Sequence, residues 1–209
     1  MKPAITLNIS DMMKTLIAFI SKAKYIIAGS PRMRLLKLMP KGSVCAEIGV
    51  WKGEFSREIL KVVRPERLHL IDPWKYQTQF GKRFYGGAFA KKQQDMDDIY
   101  TDVVTIFKEN KKVLIHREFS KDVAKIFDDD YFDWVYIDGN HYYEFVKKDL
   151  ELYYPKVKKG GFLAGDDYLW TSPELNGDRP VKRAVDDFVT HLSSISVRII
   201  KTQFLIKKI

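Results

Sequence analysis

Cysteine occurs once in this 209-residue chain, at Cys45, and histidine only four times. One cysteine excludes a disulfide framework and a metal site made of cysteines alone. It fits a reducing compartment, so the cytoplasm is the expected location. Cys45 stands in an apolar run ahead of Glu47 and reads as a small core residue rather than a nucleophile. Long apolar runs are also missing. The stretch at 15–20 is flanked by Lys14, Lys22 and Lys24 and is far too short to span a bilayer. No secretory leader, internal repeat or low-complexity linker is evident. A chain of this length suits one domain with a short appendage.

Positive charge and aromatic rings are abundant. Lys and Arg total 36 against 27 Asp and Glu, a net charge of +9. The lysines come in scattered pairs such as Lys91-Lys92 and Lys147-Lys148, the pattern of a solvated surface rather than a polyanion-binding block. No aromatic-basic RNA module is present, so a small molecule is the expected partner and nucleic acid is not. The charge leaves room for an acidic or phosphorylated substrate. Thirteen Phe and eleven Tyr suffice for a large core or an aromatic-lined pocket.

Residues 10–28 read as an amphipathic helix with Ser10 or Asp11 as N-cap. It could pack on the domain, join two copies into a homo-oligomer or touch a membrane. Helix breakers at Gly29-Ser30-Pro31 suggest a boundary, giving an N-terminal helical extension at 1–40 and a main domain at 41–209. A short helix follows at 32–39. Beyond it, strands at 43–48, 67–71, 113–116, 132–137 and 161–164 alternate with helices at 54–63, 91–110, after Ser120, 142–152 and 181–191. Ser120 is expected to cap its helix. Two last runs, 197–200 and 204–206, are close enough to form a hairpin. Alternation of this kind implies an α/β, Rossmann-like fold, a mostly parallel sheet with helices on both faces. Ligands then bind outside the carboxyl ends of the strands.

The first strand runs into Glu47-Ile48-Gly49-Val50-Trp51-Lys52-Gly53-Glu54. Gly49 and Gly53 allow a sharp turn and close approach to a ligand. A dinucleotide fingerprint would need glycines at 49, 51 and 54, and Trp51 and Glu54 break it. An acid before the first glycine repels a pyrophosphate but suits a cationic amino group. Asp72, ending the second strand, could accept from both ribose hydroxyls. A nucleoside with a cationic tail and no phosphate fits, which describes S-adenosylmethionine. Trp74 could stack on its adenine.

The fourth strand ends at Asp138-Gly139-Asn140-His141 and the fifth at Gly165-Asp166-Asp167. Neighbouring strands would bring Asp138, Asp166 and Asp167 round one point, where three carboxylates repel unless a cation sits among them. Hard oxygen ligands suit magnesium, manganese or calcium. Such an ion could bind a substrate hydroxyl, and His141 could take its proton. His69, His116 and His191 lack such company and read as structural. Tyr76, Phe80, Phe84, Tyr85, Trp170 and Arg179, in the loops at 74–90 and 168–180, could form a lid or specificity pocket.

The segment 132–150, with its FDWVYIDGNHYYEFVKKDL run, followed by Gly160-Gly161 and Asp166-Asp167, resembles class I methyltransferases of the methyltransferase domain 24 group. It is also similar to the macrocin O-methyltransferase type and, more distantly, to catechol O-methyltransferase. The resemblance covers residues 43–192. It implies a seven-stranded sheet with the last strand antiparallel, and Glu47, Gly49, Asp72 and the Glu118-Phe119-Ser120 region around the cofactor. It also implies Asp138, Asp166 and Asp167 as metal ligands, with His141 as base. The expected activity is metal-assisted methylation of a hydroxyl oxygen on a sugar- or phenol-like molecule. An RNA- or protein-modifying methyltransferase and a non-catalytic nucleoside-binding protein are the alternatives.

Overall fold

Near-continuous apolar strands are the signature of a sheet buried on both faces, and the central strands here follow it. The computed structural model describes residues 29–77, 90–171 and 173–209. The expected helix at 10–28 and Phe80, Phe84 and Tyr85 therefore lie outside the described residues. The strands are β1 (Val44–Ile48), β2 (Arg67–Ile71), β3 (Val113–His116), β4 (Phe132–Ile137), β5 (Val157–Gly165), β6 (Ile195–Ile200) and β7 (Gln203–Lys208). They form one seven-stranded sheet in the order β3-β2-β1-β4-β5-β7-β6. The neighbours from β3 to β5 pair in parallel, whereas β7 is antiparallel to both β5 and β6. The architecture is the expected one.

Alternation along the strands fills two cores. Ala46, Val135, Leu163 and Ile206 face one layer, where α5 (Tyr143–Tyr153) and α6 (Pro180–Thr190) contribute Val146, Leu150, Val181 and Val185. Cys45, Trp134, Ala164 and Leu205 face the other. There α1 (Pro31–Leu36), α2 (Glu54–Val62) and α3 (Gln93–Phe107) supply Leu35, Leu36, Phe55, Ile59, Met96 and Val103. Cys45 is buried and unpaired, as a core residue should be.

Two expectations need correction. β5 begins four residues before the expected start at Gly161, because Lys158, Lys159 and Gly160 break the apolar pattern while the backbone continues as a strand. The helix after β3, α4 (Ser120–Val123), has Phe119 rather than Ser120 at its N-cap position, and no side chain caps it. The Ser120 hydroxyl instead donates to the Asp149 carboxylate on α5, at 2.5 Å. No described helix is long and apolar enough to cross a membrane.

Candidate active site at the strand tips

Between β1 and β4 the order in which strands are added to the sheet reverses, and a cavity of about 460 Å³ opens at their carboxyl ends. That size lies within the ~300–1,000 Å³ usual for small-molecule sites. Its walls come from the tips of β1, β2 and β4, the turns that follow them and the segment after β3, including Glu47, Gly49, Asp72, Ser120, Asp138 and His141.

Gly49 makes this turn, with φ of +86°. Asp72 then ties the turn down. One of its carboxylate oxygens accepts from the amides of Val50 and Trp51, both at 2.9 Å, and the other from the amide of Trp74 at 2.8 Å. Burial pushes Asp72 up to about 6, although these three amide bonds pull the other way. Three of roughly four acceptor positions on a carboxylate are thus occupied, leaving about one for a ligand. Both ribose hydroxyls, as expected from sequence, exceed that capacity.

Glu47 has 2% of its surface exposed. Among the described residues its hydrogen-bond partner is the Ser56 hydroxyl, donating at 2.5 Å. Burial, reinforced by the charge of Asp138, raises it to about 8, against the lowering effect of Ser56. A mostly protonated acid facing a cavity is poised to ionise when a cation arrives.

Other expected cofactor contacts divide. Trp51, Phe119 and Ser120 line the cavity. Gly53 supports the wall from behind as the N-cap of α2, with φ of +73°. Glu118 is exposed and does not line the cavity. Trp74 is a correction: it has 0% exposure, and its indole N–H donates to the Trp51 carbonyl at 2.9 Å. Its ring packs on Tyr100, so it buttresses the glycine turn and cannot stack on a nucleobase. Among the lid candidates, Trp170 lines the cavity and meets the His141 ring edge-on at 5.2 Å, whereas Tyr76 and Arg179 do not line it.

The acidic constellation is also rearranged. Asp138, His141 and Asp167 bring one potential ligand atom each to within 4.8 Å of one another. His141 Nε2 stands 3.2 Å from an Asp167 oxygen and 3.6 Å from an Asp138 oxygen. Neither approach has hydrogen-bond geometry, so among the described residues this buried nitrogen has no hydrogen-bond partner. Burial disfavours a charged imidazole here, but attraction to Asp138 and Asp167 outweighs it and raises the pKa of His141. Burial likewise raises both Asp138 and Asp167. A cation among these three would satisfy the orphaned nitrogen and relieve the crowded carboxylates, so the residues fit a divalent ion.

Asp166, expected as a third carboxylate ligand, is turned out of the group. One of its oxygens accepts from the Asp167 amide at 2.7 Å and from the Gln203 amide group. The other is held by Arg32 Nε at 2.6 Å. The hydrogen bonds to Arg32, Gln203 and the Asp167 amide turn Asp166 away from the group that Asp167 joins. Asp167 reaches it with φ of +59°, and Trp51 on the opposite wall has φ of +54°. Such backbone costs about 1–3 kcal/mol per residue and tends to mark functional sites.

Arg32 was invisible to sequence reasoning. It rises from α1, beside Phe55, and also binds Asp138 at 2.5 Å. The pairing spans 106 positions, and no local motif announces it.

A parallel sheet with a reversed β7, and a cavity whose glycine turn follows β1, together define an S-adenosylmethionine-dependent methyltransferase fold. Residues 46–168, more than half of the chain, match the family model described as methyltransferase domain, and the chain belongs to that family. The O-methyltransferase NovP shares 20% identity, with 86% of this chain and 80% of that one covered and a TM-score of 0.60. SMU.1697c from Streptococcus mutans, solved in complex with SAH, shares 12% identity over 86% of this chain and 96% of its own, with a TM-score of 0.56. Likenesses at these identities speak for the fold. A 36-residue segment, 17% of this chain, is 50% identical to an uncharacterised protein, R132, of Acanthamoeba polyphaga mimivirus; it spans only 16% of that relative.

Proposed function

We propose that the chain transfers the methyl group of S-adenosylmethionine to a hydroxyl oxygen of a small molecule, assisted by a divalent cation such as Mg²⁺. One observation carries this reading: the cation-seeking acid Glu47 and the Asp138–His141–Asp167 group line the same cavity. Donor and acceptor chemistry are therefore adjacent. The likeness to NovP, an O-methyltransferase, supports oxygen as the acceptor atom.

On the donor side, Glu47 would neutralise the ammonium of the methionine moiety, and Asp72 would offer its remaining acceptor position to the ribose. Gly49, Trp51, Phe119 and Ser120 would enclose the nucleoside, with Gly53 and Trp74 holding the turn in shape. The oxygen–carbon bond forms as the sulfonium carbon–sulfur bond breaks, with its electron pair left on sulfur. The main task of the residues is to hold the partners in line.

On the acceptor side, Asp138, Asp167 and His141 Nε2 would hold the ion, which lowers the pKa of a hydroxyl bound beside it. Nε2 has one lone pair, so it either binds the ion or accepts the proton of the hydroxyl. Where Asp138 and Asp167 alone hold the ion, or no ion is bound, His141 would accept the hydroxyl proton; where Nε2 binds the ion, the proton of the acidified hydroxyl would pass to water.

The test supplies labelled S-adenosylmethionine and a panel of sugars and phenols, with Mg²⁺ or with EDTA, and locates the methyl group in the product by NMR. An O-methylated small molecule is expected, with turnover reduced about 10²-fold or more in His141→Ala. Methyl found on RNA, protein or nitrogen would overturn the acceptor assignment. Undiminished turnover in EDTA would overturn the metal assistance.

A further inference from the structure

We propose that Arg32 is a built-in cation that restrains divalent-ion binding at Asp138, His141 and Asp167, by occupying Asp138 and by keeping Asp166 out of the ligand set. This rests on the reading of those three residues as an ion site.

Arg32 stands on a helix fixed at both ends. Ser30 Oγ accepts from the Met33 amide at 3.2 Å, Pro31 occupies the first turn of α1, and Leu35 and Leu36 anchor the helix with 0% exposure. From there the guanidinium forks. Nη2 donates to Asp138 Oδ2 at 2.5 Å and Nε to Asp166 Oδ2 at 2.6 Å, with the guanidinium carbon 5.2 Å from the centre of the Phe55 ring. A planar, permanently charged fork suits two carboxylates on neighbouring strand tips, and lysine could not reproduce it.

Two consequences follow. Asp138 has its other oxygen on the His141 side, 3.6 Å from Nε2. An ion using that oxygen would share one carboxylate with a fixed positive charge, and the repulsion weakens its binding. Asp166 cannot join the ion, because Arg32 holds one oxygen while the Asp167 amide and Gln203 hold the other. Arg32 thereby sets both the charge and the number of ligands offered.

Mn²⁺ titration of the full chain, with free ion read by electron paramagnetic resonance, tests this. Arg32→Met should bind Mn²⁺ at least tenfold tighter than the wild type. Arg32→Lys, whose ammonium reaches one carboxylate, should fall between, and Lys37→Met, an exposed change next to α1, should match the wild type. Thermal melting in EDTA establishes that each variant folds; if Arg32→Met does not, a twofold or greater tightening in Arg32→Lys carries the proposal. Binding no tighter in either Arg32 variant, with the wild type still binding, overturns the role of Arg32 alone. No Mn²⁺ binding by any of the chains overturns it together with the ion-site reading.

Discussion

Gly49 lies so close to the Asp138 carbonyl that a Cβ on it would stand 2.1 Å from that oxygen. The contact joins the turn after β1 to the end of β4, the two walls of the cavity. Gly49→Ala would meet both this clash and a φ of +86°. We expect it to destabilise the chain by about 2–4 kcal/mol and to abolish S-adenosylmethionine binding. Gly160→Ala is the control: φ there is +81°, but nothing lies within 4 Å of its Cβ position. It should cost only about 1–2 kcal/mol and leave binding intact. Equal losses in the two variants, by chemical denaturation, would contradict the contact.

Trp51 and Trp74 make a second test. Trp51 lines the cavity and Trp74 lies behind it, with 0% exposure. In a Trp170→Phe background, needed because Trp170 also lines the cavity, binding of S-adenosylmethionine should quench tryptophan fluorescence with or without Trp74→Phe, and much less with Trp51→Phe. Trp74→Phe should still lose about 1 kcal/mol, since its N–H bond to the Trp51 carbonyl disappears. Quenching that vanishes with Trp74 would restore it as the stacking residue.

A third expectation concerns a buried pair away from the cavity. His69 Nδ1 lies 2.9 Å from His116 Nε2, and its Nε2 lies 3.1 Å from the Tyr131 hydroxyl. Burial, aided by His116, depresses His69 to about 3. Its folded pKa is below the ordinary value near 6.5, so the unfolded chain takes up the proton first. The stability His69 contributes is full above pH ~6.5 and is lost as pH falls towards 3. Glu47 and Asp149, raised to about 8 and 7, act in the opposite sense: their folded pKa values exceed the unfolded ones, so stability falls as pH rises through them. Because these opposing trends mix in any melting curve, nitrogen NMR of the imidazole is the suitable measurement. His69 should remain neutral from pH 8 to 5, and a titration inside that range would contradict its surroundings.

Much of this architecture was readable from the chain. β2, β3 and β4 have the boundaries their apolar runs suggest, because each run is short and bounded by polar or turn-forming residues. Gly49 and Asp138 were readable because the chemistry of a parallel sheet concentrates at strand tips. What escaped is tertiary. The link between Arg32 and Asp138 depends on how α1 docks, and nothing near Arg32 in sequence encodes it. Asp166 and Asp167 are neighbours of identical type, and which of them faces the cavity depends on backbone geometry. Ser120 has the chemistry of a cap, but Asp149 offers it a better acceptor at 2.5 Å. Trp74 follows the loop acid as a stacking residue would, yet burying its large ring on Tyr100 prevails.

Glu47 carries the most direct test. With a pKa of about 8 it is mostly protonated at pH 7, and an ammonium beside it would drive the proton off. Calorimetric titration of S-adenosylmethionine at pH 7, in buffers of different ionisation enthalpy, counts that proton. The wild type should bind one equivalent and release most of one proton; Glu47→Gln should bind at least tenfold more weakly and release almost none. Absence of binding by the wild type, or equal affinity and proton release in both, would contradict the assignment of this cavity to the methyl donor.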